Sequence, residues 1–221
     1  MIKKLYLISL FSLGFSINDN VGTSVANFLK IPVGGRAVSM GGAISAQVDD
    51  VSSLYWNPAG IAHIKNREFM IHNTDWIMDL THTFTGLVLP MGRKGNIGLS
   101  LNFLNIGSIE ETTENEPSGT GKKFTANDLA IGVTYSTWVS DRFAFGVQAK
   151  YLQESISFSK AIGLGLDFGS QYITNFSGLK IGMAITNFGS KMRLFGTDQL
   201  IDVDAYPETD GNSEVNGRLE T

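Results

Sequence analysis

Three histidines are the first candidates for acid–base or metal chemistry, because the 221-residue chain contains no cysteine. His63, His72 and His82 lack the spacing that places two metal ligands on one helical face. His72 and His82 could meet across a β-hairpin, but packed or solvated histidines are the simpler interpretation. A hydrolase with a serine nucleophile would have to use one of the three as its general base. We therefore predict that the protein is not an enzyme.

Two glycine-containing stretches superficially match nucleotide-binding loops and fail on spacing. In Gly119-Thr120-Gly121-Lys122-Lys123, Glu116 stands where a phosphate-binding loop has its first glycine, and Lys123 stands where it has serine or threonine. Gly163-x-Gly165 lies inside an alternating strand pattern, where a dinucleotide fingerprint does not belong. An acidic run is interpreted as a solvated loop, and its members are Glu110, Glu111, Glu114 and Glu116. We expect no catalytic residue, no cofactor and no metal site.

The amino terminus has the parts of a secretory signal peptide. Met1-Ile2-Lys3-Lys4 is basic, Leu5 to Phe15 is apolar, and small residues at Gly14 and Ser16 suit cleavage after Ser16. We predict a signal peptide over residues 1–16. The absence of cysteine excludes disulfides and a lipoprotein anchor. With no second apolar run of ~18 residues in the sequence, a membrane-bound mature chain would have to cross with strands.

The composition favours a β protein with few charges to solvate. Hydrophobic residues make up 43% of the chain and charged residues 17%, below the roughly 25% charged residues of ordinary soluble domains, and glycine is abundant at 25 residues. The net charge is −4 and there is no basic cluster. Nucleic-acid binding therefore has no electrostatic basis in this sequence.

From about Arg67 onward, apolar residues recur at every second position, which is the period of β-strands. Between Ile97 and Phe103 one face is Ile, Leu, Leu and Phe, and the other is Gly, Ser and Asn. A soluble β-sandwich also alternates, but its outer face would be charged. An apolar face toward lipid and a small, polar face toward a lumen are typical of an outer-membrane β-barrel. We predict strands near residues 36–47, 67–74, 81–90, 96–109, 125–139, 142–157, 160–173 and 179–189.

The connections between these strands sort into short turns on one side and longer loops on the other, as in outer-membrane barrels. The exception is the short connection 157–159, which falls on the long side. Aromatic residues near the strand ends are predicted to form interfacial girdles, and they are Tyr135, Trp138, Phe143, Tyr151, Tyr172 and Phe176.

One segment, DDVSSLYWNPAGIA from Asp49 to Ala62, interrupts the alternation. Asp49 or Asp50 is expected to cap a helical turn that follows. Asn57 is restricted by the next proline, so it should end that turn and cap a second one, with Pro58 in the first helical position. The aromatic pair Tyr55 and Trp56 is expected to pack the helix against the strands. Gating or partner binding is the alternative role.

Several short motifs cluster between Gly22 and Ala62: Phe28-Leu29-Lys30-Ile31, Gly35-Arg36-Ala37, Met40-Gly41-Gly42-Ala43, Asp49-Asp50 and Trp56-Asn57-Pro58-Ala59-Gly60. Together they resemble the amino-terminal block of the PorV/PorQ family of outer-membrane proteins, which are related to FadL-like barrels. The resemblance implies an all-β membrane fold, an antiparallel transmembrane β-barrel of FadL-like type with a short helical plug. The plug residues that it implies are Arg36, Gly41, Gly42, Asp49, Asp50, Tyr55, Trp56, Asn57, Pro58 and Gly60.

The resemblance also implies a function. PorV-like proteins act with the type IX secretion machinery and carry exported cargo at the outer membrane, whereas FadL-like proteins pass hydrophobic small molecules. We expect a non-enzymatic barrel in the outer membrane of a Gram-negative-type bacterium, serving protein export or surface attachment, with hydrophobic-compound uptake as the alternative. The expected partners are outer-membrane lipid, secreted cargo proteins or secretion-system subunits, and, under the alternative, a hydrophobic ligand.

The expected organisation is a signal peptide at 1–16, a plug with a first strand at 17–66, antiparallel barrel strands at 67–189 and a polar loop at 190–221. About eight strands are fewer than a FadL-like barrel contains, so the resemblance predicts an amino-terminal fragment. An eight-stranded barrel with an ordered tail is the alternative, since even-numbered barrels begin at about eight strands.

Overall fold

A computed structural model describes residues 25–112, 116–196, 200–204 and 214–218. The predicted signal peptide and Glu114 lie outside these ranges. The described chain is mostly β, and seven of the eight predicted strands are confirmed, those between residues 67 and 189. The observed strands are β1 Glu68–Asp75, β2 Thr81–Pro90, β3 Asn96–Glu110, β4 Lys123–Ser140, β5 Phe143–Ile156, β6 Ser159–Ile173, β7 Lys180–Gly189, β8 Leu194–Phe195, β9 Leu200–Asp204 and β10 Glu214–Arg218.

The main sheet is antiparallel, has eight strands and follows the chain order from β1 to β7, with β8 pairing with β6 beside the end of β7. Among the described residues no pairing joins β1 to β7, so this sheet is open and is not closed into a barrel. Strands β9 and β10 form a separate two-stranded sheet. The prediction of a polar loop from residue 190 onward was therefore wrong over β8, β9 and β10.

Short helices lie in the N-terminal segment, residues 25–64. They are the 3₁₀-helix Asn27–Lys30, helix α1 Gly35–Ser39, helix α2 Ser53–Trp56 and the 3₁₀-helix Pro58–His63; two further 3₁₀-turns, Ile77–Asp79 and Gly92–Lys94, connect strands. No helix of the described chain is long and apolar enough to cross a membrane. The strand predicted near 36–47 was wrong: α1 and turns occupy it, since Gly41 and Gly42 adopt φ of +63° and +80°, outside the range of strands.

The sheet has two chemically different faces because successive side chains of a strand point to opposite sides. One face, here called the outer face, is apolar and exposed on several strands; on β6 it carries Ile162, Leu164, Leu166 and Phe168. The opposite, inner face carries buried glycine, alanine and polar residues. The N-terminal segment packs on the inner face, and three hydrophobic clusters lie between or within these layers.

Strand β7 contains a β-bulge opposite β6. Leu166 pairs with Phe188 and Phe168 pairs with Ile185, so two residues of β7 oppose the single residue Asp167. One of the two, Asn187, adopts φ of +61°. Its backbone N–H donates to Oδ1 of Asp167 at 2.7 Å, which holds the bulge at this position.

Candidate functional site

The Asp49–Ala62 segment forms two consecutive short helices. Oδ1 of Asp50 accepts hydrogen bonds from the N–H of Ser52 at 2.8 Å and from its hydroxyl at 2.5 Å, so this carboxylate caps the turn that leads into α2. Asn57 ends α2, and its Oδ1 accepts from the N–H of Ala59 at 3.1 Å. Pro58 occupies the first position of the second helix. The predicted cap and proline position are therefore confirmed for this second helix.

The other predicted aspartate makes a different contact. Asp49 Oδ1 lies 2.8 Å from Nη1 of Arg36, and Asp50 Oδ2 lies 3.7 Å from the same atom. Arg36 also donates to the carbonyl of Gln47 at 3.2 Å. The hydrogen bond and charge of Asp49 raise the pKa of Arg36 further above its usual value. These groups close the 36–49 loop, but they are about half exposed, and exposed ion pairs stabilise little.

The aromatic pair of α2 binds backbone carbonyls of the chain that precedes it. The hydroxyl of Tyr55 donates to the carbonyl of Leu29 at 2.8 Å, and Nε1 of Trp56 donates to the carbonyl of Val33 at 2.8 Å. Burial raises the pKa of Tyr55 to about 12, so its hydroxyl remains a donor at physiological pH. Both aromatics pack within the protein, which is the role expected from the sequence.

Side chains of three strands, β3, β4 and β6, donate to backbone carbonyls of the N-terminal segment. Asn96 donates to Ile61 at 2.5 Å and Ile64 at 2.7 Å. Gln171 donates to Ser45 at 3.0 Å and Val48 at 2.9 Å. The carbonyls of Ser45, Val48 and Ile64 lie outside the helices, and that of Ile61 also accepts from the N–H of Ile64 at 3.1 Å, so the strand side chains bind carbonyls of turns and of a helix end. The remaining donors and their carbonyl partners are Ser136 with Ala59 at 3.1 Å and Trp138 with Ala62 at 2.9 Å.

Asn57 connects the two layers from the other side. Its side chain is fully buried, and Nδ2 donates to the carbonyl of Ser45 at 2.7 Å and to that of Ser170 on β6 at 3.2 Å. One amide therefore caps a helix, ties two turns of the N-terminal segment together and contacts a strand. The sequence predicted only the cap.

Glycines of the inner face allow the N-terminal segment to approach the sheet closely. A Cβ on Gly169 would collide with Oδ1 of Asn57, and one on Gly146 would collide with the backbone of Pro58. Within the N-terminal segment itself, a Cβ on Gly60 would collide with Ser53 and the carbonyl of Val48. Further inner-face glycines contact the same segment, namely Gly86, Gly98 and Gly182. The glycine-rich face is therefore the contact surface for the N-terminal segment.

The histidines do not form a catalytic or metal constellation in the described part of the chain. Each contacts an amide or hydroxyl group: His63 with Gln171 at 2.8 Å, His72 with Thr74 at 2.9 Å and His82 with Asn102 at 2.5 Å. Burial lowers the pKa of His63, partly offset by the hydrogen bond with Gln171. Groups of three or more potential metal ligands are also absent from the described ranges.

The strand residues that contact the N-terminal segment were not predicted from the sequence. Asn96, Ser136 and Gln171 are polar residues on a face otherwise rich in small residues, and that was the available signal. Trp138, predicted as part of an interfacial girdle, instead faces inward and packs edge-to-face on His63 with ring centroids 4.7 Å apart. An ion pair between Lys150 and Asp167, 2.8 Å apart and almost completely buried, was also not predicted.

These features define a predominantly β protein whose open antiparallel sheet is apolar on one face and bonded to a helical N-terminal segment on the other. The chain belongs to the PorV family, because the family profile described as type IX secretion system protein PorV matches residues 16–199. This family comprises secretion-system components and is not a known family of enzymes. A search of curated proteins finds no match.

Proposed function

We propose that the main sheet is the wall of an outer-membrane β-barrel and that its outer face contacts lipid. The single observation that carries this proposal is the exposed apolar outer face. Large exposed apolar surfaces mark interaction sites. In transmembrane β-barrels, alternating strands present such apolar residues to lipid. The exposed residues are Phe69, Ile71, Leu99, Leu101, Ile131, Val133, Ile162, Leu164, Leu166, Ile181, Met183 and Ile185.

The dimensions of this apolar surface suit a bilayer. On β6 the largely apolar outer face runs from Ile162 to Tyr172, about 33 Å at ~3.3 Å per residue. A strand tilt of about 45° reduces this length to roughly 23 Å, close to the ~25 Å apolar band of outer-membrane barrels. A row of polar residues, each paired with the next across neighbouring strands, bounds this apolar band on one side. The row consists of Asp75, Thr81, Asn105, Asn127, Ser155 and Lys160.

We infer that the N-terminal segment is a plug and that the protein serves protein export or attachment of exported proteins at the outer membrane. The family assignment supports a role in type IX secretion. The hydrogen bonds from Asn96, Ser136, Trp138 and Gln171 fix the segment on the inner face, which favours a carrier over an open channel. No enzymatic chemistry is required of this arrangement.

Substitutions on the outer face test the lipid contact. Leu164→Arg places a charge in the apolar band and should lower the amount of folded protein in the outer membrane, at a cost of ~2–4 kcal/mol near the bilayer midplane. Ser155→Arg, in the polar row, is the matched control and should have little effect. Equal behaviour of the two variants would refute the proposed lipid contact.

Two assays separate the export function from uptake of hydrophobic compounds. Under the export proposal, secreted proteins that carry a type IX sorting domain should co-purify with the full chain, and a deletion strain should take up labelled fatty acid normally. Loss of fatty-acid uptake without any co-purifying secreted protein would instead support the FadL-like alternative.

A further inference from the structure

The first nine described residues, 25–33, are called the strap here, and they lie on the protein like a bound peptide. Phe28, Leu29, Ile31 and Val33 are buried, with exposures of 3%, 7%, 6% and 0%, whereas Lys30 between them is exposed. The first three belong to a cluster with side chains of β3 to β6, including Leu104 of β3. The apolar side chains of the strap therefore occupy apolar sites formed by the rest of the chain.

Side chains outside the strap also bind its backbone. The carbonyls of Leu29 and Val33 accept from Tyr55 and Trp56, and the N–H of Ala26 donates to Oε1 of Glu154 at 2.7 Å. Backbone hydrogen bonds combined with apolar side-chain sites are the means by which many proteins recognise extended peptides of varied sequence. The surface around Tyr55, Trp56 and Glu154 has this chemistry.

The strap is fixed to the strands differently from the chain that follows it. Carbonyls between Ser45 and Ile64 accept six hydrogen bonds from strand side chains. Of the three hydrogen bonds just described, that from Ala26 to Glu154 reaches a strand, whereas Tyr55 and Trp56 belong to α2. Gly34, with φ of +85°, and Gly35 join the two parts, so this boundary has a backbone conformation that favours glycine. A cavity of about 220 Å³ beside Leu29, Lys30, Tyr55 and Trp56 adds space under the strap.

We propose that the strap is the intramolecular occupant of a peptide-binding groove, and that an extended apolar segment of an exported polypeptide displaces it there. The groove is formed by Tyr55, Trp56, Glu154 and the apolar side chains of β3 to β6. The chemistry of the partner follows from that of the strap: three or four large apolar residues within nine, with a free backbone for three hydrogen bonds. This inference rests on the proposed role in protein export for the identity of the partner.

A peptide with the sequence of residues 25–33, VANFLKIPV, is the direct probe, labelled with a fluorophore and added to the purified full chain in detergent. The variant Phe28→Ser/Ile31→Ser weakens the strap and leaves the groove intact. This variant should bind the peptide about tenfold more tightly than the wild-type protein, in which the strap competes. A control peptide with serine in place of Phe28, Leu29 and Ile31 should bind at least about tenfold more weakly.

Tyr55→Phe, added to this variant, keeps the ring and removes the donor to the Leu29 carbonyl, so peptide binding should weaken several-fold. Failure of the folded strap variant to bind the peptide, or equal binding of the control peptide, would overturn the proposal. Circular dichroism of the β-sheet verifies folding of each variant.

Cysteine labelling tests the exchange by an independent route, because the natural chain has no cysteine. Phe28→Cys lies in the strap, and Ile61→Cys, equally buried, lies in the part bonded to strands. The peptide should accelerate maleimide labelling of Phe28→Cys and leave that of Ile61→Cys unchanged. Unchanged labelling of Phe28→Cys, or equal acceleration at both positions, would contradict a separately displaced strap.

These experiments use purified protein and do not depend on secretion. Peptide exchange in the absence of co-purifying secreted proteins would support the groove and count against the export function. Co-purification without peptide exchange would support the export function and refute the groove.

Discussion

Asn57 offers the sharpest test of how the N-terminal segment is fixed, because its two side-chain ends perform different tasks. Oδ1 caps the 3₁₀-helix Pro58–His63, and Nδ2 donates to the carbonyls of Ser45 and Ser170. Asn57→Ala removes both. Loss of the cap costs ~1 kcal/mol. Loss of the donor adds ~1 kcal/mol, since the Ser45 carbonyl retains its hydrogen bond from Gln171.

Asn57→Asp separates the two tasks. Aspartate caps helices as well as asparagine does, but it replaces the donor with a carboxylate oxygen facing two carbonyl oxygens in a fully buried site. A buried, unpaired charge costs more than a lost neutral hydrogen bond. We therefore expect the isosteric aspartate variant to be less stable than the alanine variant.

Hydrogen exchange measured by mass spectrometry over residues 57–63 reports the local opening free energy. A loss of about 2 kcal/mol in Asn57→Ala corresponds to roughly thirtyfold faster exchange. Peptides from β3 and β4 should keep wild-type protection and serve as the internal control. Wild-type protection in Asn57→Asp would refute the reasoning, because it would show that the cap alone matters.

Four further predictions concern other contacts of the two layers. Gly169→Ala should lower the free energy of unfolding by ~1–3 kcal/mol, because the added Cβ collides with Asn57. Gly165→Ala, on the same face of β6, is the control. Its Cβ has ordinary contacts at 3.7 Å, so this variant should be neutral in thermal unfolding. Asp167→Asn should lower the free energy of unfolding by about 3 kcal/mol, because it leaves buried Lys150 without its counter-charge. In urea unfolding, the double variant Lys150→Met/Asp167→Asn should recover part of this loss. An equal loss in the single and double variants would contradict the pairing. Protection of residues 57–63 should fall as the pH drops below 6.5, because the pKa of His63 is lowered in the folded state and the unfolded chain binds the proton more readily. Above pH 6.5 His63 is neutral in both states, so protection should be constant. A pH dependence that persists in His63→Gln would assign the effect to another group. Arg36→Ala should change the unfolding free energy by less than ~1 kcal/mol in the same urea assay, since its ion pairs are half exposed, and a larger loss would show that the 36–49 loop anchors the segment.

The strands from β1 to β7 could be predicted from the sequence because their evidence is local. Each carries its own period of two, and the observed bounds differ from the predicted ones by at most two residues, as with β6 at Ser159–Ile173 against 160–173. The second helix of the NPAG segment was equally local, since the cap and its proline are adjacent. Neighbouring residues were sufficient in both cases.

The strand predicted near 36–47 failed because alternation alone does not fix the backbone. Ala37 and Ile44 are buried in a cluster with Val48, but Gly41 and Gly42 between them require positive φ. The Gly-Gly pair was the signal that a strand would not form.

The contacts between the two layers could not be read from the sequence because they join distant residues. Asn96 donates to Ile61 across 35 positions, and Gln171 donates to Val48 across 123 positions. A single polar residue on a small-residue face indicates a partner but does not identify it. Only the folded arrangement shows that these side chains bind backbone carbonyls of the N-terminal segment.

The bulge in β7 has a consequence for how insertions and deletions would act on this sheet. Ile185 and Phe188 are three positions apart, yet both are exposed on the outer face, because the extra residue at the bulge shifts the alternation by one. Deleting Asn187 would remove the bulge and restore a regular strand, in which Thr186 alone opposes Asp167 and Phe188 keeps its outward orientation opposite Leu166. Deleting one residue from a regular part of β7 would instead turn the side chains on one side of the deletion to the opposite face.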